Sequence, residues 1–444
     1  MTRIRQAGKR MQTSLRGIAN KARADKQHRF RNLYGLLNEE ALLSNWPRVK
    51  KRAAGGVDHV SAQQYAEDLE GNVGRLVERL KRKSYRARLV RRRTIPKQGG
   101  RTRPLGIPAV EDKLLQIAVA RILEAIYEQD FLPSSYGCRL GRGPQPAVSD
   151  LTQELQFGCY GYVVEIDVKG FFDHVDHDWL LRMLEERIDD RPFLRLIGKW
   201  LKAGVLEEDG QVIHPQTGTP QSDCISPILA NIYLHYVLDL WFARRVKPRC
   251  RLRAFMCRYL DDVVFAFQRR DEAEAFYRAV PARLEKFGLE LAAEKSGILR
   301  FSRFHLGGKA RSFEFLGFEF RWIPDRHGTP RVTRRTARKR FRASLARVAE
   351  WIRAERHRPV GWIFAMLNRK LLGYYNYYGV RGNSRSLRAF LYRVLRVLFK
   401  WLNRRSQRRS YTWQGFQSLV DRFGVAPPRI TESRDRQLLL GGAR

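Results

Sequence analysis

The sequence predicts an α+β fold, and three observations carry that reading. Segments with strand and helix patterns alternate through the middle of the chain, as a mixed core requires. Leu114, Ile117, Ala118, Val119, Ile122, Leu123 and Ile126 recur at helical spacing. In YVVEIDV, Val164, Ile166 and Val168 point one way while Val163, Glu165 and Asp167 point the other, the period of a strand. No internal repeat is present, and 444 residues suffice for two or three domains that each bury a core. A hydrophobic fraction of 43%, with 24 Phe, 17 Tyr and 9 Trp, belongs to a folded protein rather than a disordered one.

In chain order, residues 1–85 read as helical and basic, broken near AAGGVDH at 53–59. Arg3, Arg5, Lys9, Arg10, Arg16, Lys21 and Arg23 precede the first acid, Asp25. That composition resembles a transit peptide but lacks an apolar signal core, so a nucleic-acid-binding arm is expected. RRRTIPKQGGRTRPLGIP, from Arg91, is a basic strand, a QGG turn and a second extended stretch. The helical run follows, then the loop SYGCRLGRGP and the strand YGYVVEIDVKG. GTPQSDCISPILANIYL reads as a tight turn feeding a buried helix. RYLDDVVFAF is a hairpin with Asp261 and Asp262 at its tip, followed by a helix at about 271–287 and a strand at SFEFLGFEF.

Charge separates the last third of the chain from the rest. The whole carries +40, from 85 Lys+Arg against 45 Asp+Glu, so a polyanion, nucleic acid above all, is the expected partner. Residues 331–409 hold 23 Lys+Arg and two acids, Glu350 and Glu355, a net +21 in 79 residues. Within them Leu387, Leu391, Val394, Leu395, Leu398 and Leu402 share one helical arc, and Arg388, Arg393, Arg396 and Lys400 take the other side. A solvated face usually mixes signs; this one suits a phosphate backbone. No apolar run is long enough to span a membrane, and no membrane partner is expected. Cys138, Cys159, Cys224, Cys250 and Cys257 form no CxxC pair and read as reduced cytosolic thiols, mostly in the core.

Two or three carboxylates brought together can hold hard divalent cations such as Mg²⁺. Asp167 near its strand's end and the Asp261–Asp262 tip are candidates for that. RIDDRPF offers the contrast, since Asp189 and Asp190 sit among Glu185, Glu186 and Arg187 beside a proline and read as a solvated helix end. HVDH at 174–177 reads as surface polar residues rather than a zinc site.

In the order IPKQGGRTRPLGIPAVEDKLLQ, SYGCRLGRGPQPA, EIDVKGFFDHVDHDWL, GTPQSDCISPILANIYL, RYLDDVVFAF, GLELAAEKSGI, EFLGFEF and LLGYYNYYGV, the chain resembles group II intron-type reverse transcriptases, the intron-encoded maturases. The likeness covers roughly residues 85–415 and continues at LNRRSQRRSYTWQGF. It implies a right-hand polymerase: a basic extension and start of the fingers over 1–85, and fingers and palm with an antiparallel sheet over 86–325. An α-helical thumb or maturase domain follows over 326–405, then a short basic tail over 406–444 that could be a remnant of a DNA-binding segment.

The resemblance further implies that Asp167 and Asp261 hold two Mg²⁺ ions, with Mn²⁺ as a substitute, supported by Asp262 and the Val168 carbonyl. Lys97 and Arg103 would grip the incoming triphosphate, Phe172 would lie beneath its sugar, and Gln221 would touch nucleotide or template. Lys295 would lie near the primer end. Arg334, Arg335, Arg388, Arg393, Arg396 and Lys400 would hold nucleic acid. The implied activity extends a DNA primer with dNTPs on an RNA or DNA template, with intron RNA as a further partner, in a bacterial cytoplasm. Two departures sit beside that site: Leu260 replaces the family's usual Ala, and Ser222–Asp223 its usual Gly pair. No His/Asn/Cys-rich endonuclease domain follows the tail, so the expected primer is a borrowed nick or nascent strand. A leucine before the acids is a feature of relatives with host roles such as DNA repair. That role or defence, and a non-catalytic RNA-binding maturase, are the alternative expectations. An RNA-copying RNA polymerase is disfavoured by Phe172.

Overall fold

Strands form where β-branched and aromatic residues alternate with polar ones, and the described residues build three sheets from them. The computed structural model describes residues 2–96, 102–218, 224–304, 312–405 and 410–432. Its strands are β1 (Val90–Pro96), β2 (Thr102–Ile107), β3 (Tyr162–Ile166), β4 (Val205–Leu206), β5 (Val212–Ile213) and β6 (Ala254–Tyr259). β7 (Asp262–Phe267), β8 (Gly297–Arg300), β9 (Phe313–Phe315), β10 (Phe318–Pro324) and β11 (Pro330–Thr336) complete the set. Helix and sheet are mixed throughout, as an α+β fold requires.

The central sheet runs β6-β7-β3-β8, antiparallel at every pairing. Ile166 lies opposite Val263 and Tyr162 opposite Phe267, so the alternation of β3 is matched across the sheet. One face sends Val164, Ile166, Phe265 and Phe267 into a core shared with the helices Val110–Tyr127 and Arg270–Glu285. The other sends Val163, Cys257, Val264 and Ala266 against Phe313, Phe315, Phe318 and Phe320. Each fully buried ring adds about 1.5–3 kcal/mol of burial free energy, so the sheet is fixed from both sides.

A second sheet, β2-β1-β4-β5, carries the basic hairpin β1–β2, with Arg103 opposite Ile95 at its outer end. β9-β10-β11 form the third. The division expected at 325/326 falls in the turn of the β10–β11 hairpin, and the next helix starts only at Arg338. Three helices follow, Arg338–Glu355, Val360–Tyr378 and Ser384–Leu402. On the last, Leu387, Val394, Leu398 and Leu402 are buried while Arg388, Arg393, Arg396 and Lys400 are exposed, as the arc requires.

Residues 410–432 are more than a tail. The helix Trp413–Arg422 packs Phe416 on Phe399, with ring centroids 5.4 Å apart. The chain then returns, and the Thr431 and Glu432 N–H groups donate to the Gly379 carbonyl at 2.8 and 3.0 Å.

One charged pair lies wholly inside the core. The Arg258 guanidinium donates to both Asp239 oxygens at 2.6 Å, and neither side chain is exposed. Burial alone would raise the Asp239 carboxyl; Arg258 and His235 outweigh it and hold the carboxyl below its ordinary 3.8. A depressed carboxylate contributes stability above its unfolded-state value and loses it as pH falls through its folded-state value. The stability gap between the wild type and Asp239→Asn is therefore expected to stay level near neutrality and to narrow below about pH 4. Urea unfolding across pH checks this; a gap unchanged down to pH 3 would contradict it.

Candidate active site

The β6–β7 hairpin pairs Tyr259 with Asp262, leaving Leu260 and Asp261 as its two-residue loop. Such a loop needs left-handed backbone, and Leu260 takes it with φ of +55°. The loop SYGCRLGRGP supplies a matching surface. A Cβ added to Gly137 would stand 2.6 Å from the Leu260 nitrogen and 2.8 Å from its Cγ, so that position admits no side chain.

Asp167 follows directly on β3 and is anchored through its backbone. Its N–H donates to Ser296 Oγ at 3.0 Å, and its carbonyl accepts from the Ala292 N–H at 2.9 Å. Val168 bridges Leu291, and the bonds of that bridge use the Asp167 carbonyl and the Lys169 N–H rather than the Val168 carbonyl. Lys295 Nζ lies 3.2 Å from Asp167 Oδ2. Asp262 keeps contact with solvent, yet the surrounding protein, then Asp261, then Asp167 push its carboxyl up to about 6, with Arg340 and Lys295 opposing. The three carboxylates thus share one field at one end of the central sheet. Among the described residues no three ligating side chains are gathered into a ready-made metal cage. The donor set still fits hard divalent cations, because oxygen ligands that repel one another are relieved by a cation.

Beside these acids, Phe171 is buried against Tyr233, and Phe172 is the ring left half-exposed. Gly218, with φ of +95°, passes so close that a Cβ would meet the Phe172 carbonyl oxygen at 2.9 Å. The buried His177 joins its Nε2 to the Gly218 carbonyl at 2.7 Å, so it is a loop anchor rather than the surface residue expected. Lys97 and Gln221 lie outside the described residues, and Arg103 is described through its backbone alone.

One expected nucleic-acid contact, Arg334, is corrected, and a second, Arg335, is found paired with an acid while staying partly exposed. Arg334 is buried and gives both its strongest bonds to Glu432, at 2.5 and 2.6 Å, so no phosphate reaches it. Arg335 is held by Glu319 at 2.9 and 3.0 Å. Asp190 also differs from its reading as a solvated end: it is buried and caps the helix Arg191–Leu201 by accepting from the Phe193 N–H. Of the cysteines, Cys138, Cys159 and Cys224 are exposed and only Cys257 is buried.

Sequence reasoning missed Arg340 and Tyr377, which come to the site from helices after β11. Tyr377 is partly exposed and donates its hydroxyl to the Leu316 carbonyl at 3.0 Å; its phenol is pushed upward by the protein around it, with Tyr378, Tyr259 and Asp262 adding to the shift. The block LLGYYNYYGV held that tyrosine, but nothing in the run singles it out from its neighbours.

Residues 95–320 match the family described as reverse transcriptase (RNA-dependent DNA polymerase), and residues 338–418 match the group II intron maturase-specific domain. The chain is similar to the group II intron-encoded protein LtrA of Lactococcus lactis subsp. cremoris, 42% identical over 176 residues, covering 38% of this chain and 29% of that protein. It is 32% identical to protein YkfC of Escherichia coli over 283 residues, covering 56% of this chain and 74% of that one. An uncharacterised 91 kDa protein in a cob intron of Schizosaccharomyces pombe is 31% identical over 284 residues, covering 62% of this chain and 34% of that protein. The chain therefore spans less than two thirds of the length of the first and third of these relatives. No helix among the described residues is long and apolar enough to cross a membrane.

Proposed function

The chain belongs to the reverse transcriptase family, of the group II intron type, and from that premise we propose that it extends a DNA primer with dNTPs on an RNA template. The observation that carries the reading is the meeting of Asp167 with Asp261 and Asp262 at one end of the central antiparallel sheet, where their charges act on one another. In this reading that sheet is the palm, the β1–β2 hairpin belongs to the fingers, and the helices after Arg338 are the thumb. Two Mg²⁺ ions, or Mn²⁺ in their place, held by Asp167 and Asp261 would activate the primer hydroxyl and neutralise the departing pyrophosphate.

The chain's own residues do the rest. Lys295 offsets carboxylate charge at Asp167, where the triphosphate and primer end would meet. Lys97 and Arg103 would offer a point charge and a planar fork to the triphosphate. Gln221 follows the loop that Gly218 and His177 clamp to the Phe172 segment. Arg388, Arg393, Arg396 and Lys400 form the exposed cationic face for the template–primer duplex, and for intron RNA in a maturase role. Such a polymerase works where its RNA and DNA are, in the cytoplasm with the nucleoid or a ribonucleoprotein.

Extension of a DNA primer on an RNA template, with rNTPs competing against dNTPs, tests this directly. The wild type is expected to use dNTPs. Phe172→Ala is expected to raise relative ribonucleotide use by roughly tenfold to a hundredfold, the worth of about 1–3 kcal/mol of steric discrimination. An unchanged ratio would remove Phe172 from the sugar-facing role, and absence of extension by the wild type would overturn the polymerase reading. A host DNA-repair or defence role rests on one observation, Leu260 in place of Ala, seated on Gly137 beside the acids. Chemistry is shared between these roles.

A further inference from the structure

Arg258 stands three residues before Asp261, inside the motif RYLDDVVFAF, and the reaction gives it no task. Among the described residues its side chain is the largest of those fully buried, although taking any charged group out of water costs several kcal/mol. The way it is satisfied is informative. Nε and Nη2 donate to the two Asp239 oxygens at 2.6 Å, Nη2 also to Ser135 Oγ at 2.8 Å, and Nη1 to Asn231 Oδ1 at 3.0 Å. A further bond runs from Nη1 to the Leu260 carbonyl at 3.2 Å. That carbonyl belongs to the peptide that leads into Asp261.

The partners come from three parts of the chain. Asn231 lies on the helix Ser226–Leu234, and Asp239 on the wide π-type turn His235–Asp239 that continues it. Ser135 lies in the SSYG loop, which is also stitched to β6: the Arg258 N–H donates to the Ser134 carbonyl and the Tyr136 N–H to the Arg258 carbonyl, both at 2.8 Å. Asn231 closes the ring by donating from Nδ2 to the Gly137 carbonyl at 2.7 Å, and Gly137 is the residue pressed against Leu260. The left-handed Leu260 is therefore gripped from its carbonyl side by Arg258 and from its side-chain face by Gly137.

We propose that Arg258, with Asp239 as its buried counter-ion and Asn231 as its link to Gly137, is the positioning residue of the acid-bearing turn. It sets where the Asp261 and Asp262 carboxylates stand relative to Asp167. The planar fork is what the task needs, because one group must serve a carboxylate, an amide, a hydroxyl and a carbonyl at fixed angles. Lysine carries the charge but offers no such fork. The inference rests on the polymerase reading above.

The test uses the full chain with template–primer and a non-extendable dNTP, and reads Mn²⁺ binding by electron paramagnetic resonance beside kcat and KM for dNTP. Two variants are needed, because a buried charge left alone can unfold a protein. Arg258→Lys keeps the charge and loses the fork. Arg258→Met with Asp239→Leu exchanges the ion pair for apolar packing, a replacement that buried pairs often tolerate. Both are expected to raise the Mn²⁺ dissociation constant about tenfold to a hundredfold and to lower kcat comparably, the usual effect of losing a group that orients a ligand. Template–primer affinity is expected to stay within about twofold, because the contacts that carry it are elsewhere. Folded variants with wild-type Mn²⁺ affinity would overturn the assignment, and so would failure of both variants to fold, which would make the pair structural alone. A wild type that binds Mn²⁺ yet extends no primer would instead sink the polymerase reading.

Discussion

Asp261→Ala is expected to lower single-turnover primer extension on an RNA template by about a thousandfold or more, while template–primer binding stays near the wild-type level. The size follows from the role. A carboxylate that holds catalytic ions supports several kcal/mol of transition-state stabilisation, and each 1.4 kcal/mol is about tenfold in rate. Asp261 occupies the loop of the β6–β7 hairpin and is only partly buried, so alanine there removes charge without opening a cavity in the core. The chain contains its own control in Asp189, which also precedes an aspartate but pairs with Arg31 at 2.7 Å just before the start of the helix Arg191–Leu201. Asp189→Ala is expected to leave the rate within about twofold, as a surface pair contributes little. Rapid-quench extension with both variants decides the matter, and undiminished synthesis by Asp261→Ala would sink the assignment.

Glu432→Ala is expected to cost about 3–5 kcal/mol of stability, because it strands the Arg334 guanidinium in the interior. Both side chains are only 7% exposed. Glu432 Oε2 also accepts from the Arg381 N–H at 2.8 Å, and Gln145 reaches the neighbouring Thr431 at 2.9 Å. The 425–432 segment thus ties β11 to the loop before the helix Ser384–Leu402 and to the helix Pro144–Phe157. Hydrogen exchange at Thr431, Glu432 and Arg381 is expected to accelerate together with the loss in urea stability. Arg334→Met combined with Glu432→Leu is expected to recover most of it, since an apolar pair carries no dehydration cost. A Glu432→Ala protein that unfolds at the wild-type urea concentration would contradict the strap.

These two residues show where reading a sequence succeeds and where it stops. The hairpin around Asp261 was legible because strand alternation is a local pattern, and β3 and the β6–β7 hairpin form where it lies; the tip, however, is Leu260–Asp261, and Asp262, expected there too, already opens β7. The 384–402 helix was legible for the same reason, its apolar arc and basic face both being periodic. Arg334 was misread as a phosphate contact because its charge is local information and its partner is not. Glu432 lies 98 positions away and meets it only after the chain has folded back. Asp190 and His177 share that cause: a cap and a loop anchor look like surface polarity until the fold buries them. The left-handed Leu260 was hidden because Leu carries no turn signal, and the glycine that accommodates it stands in another block. Arg258 was in view throughout, but a lone arginine in a strand says nothing of the three segments it ties.

Asp167 and Asp261 together are proposed to hold the ions of a DNA-synthesising site. The most direct measurement is an experimental structure of the chain with an RNA template, a DNA primer, a non-extendable dNTP and Mg²⁺. Two ions are expected between Asp167 and Asp261, with the nucleotide sugar over Phe172. Ions bound away from those carboxylates, or a nucleotide seated elsewhere, would contradict it.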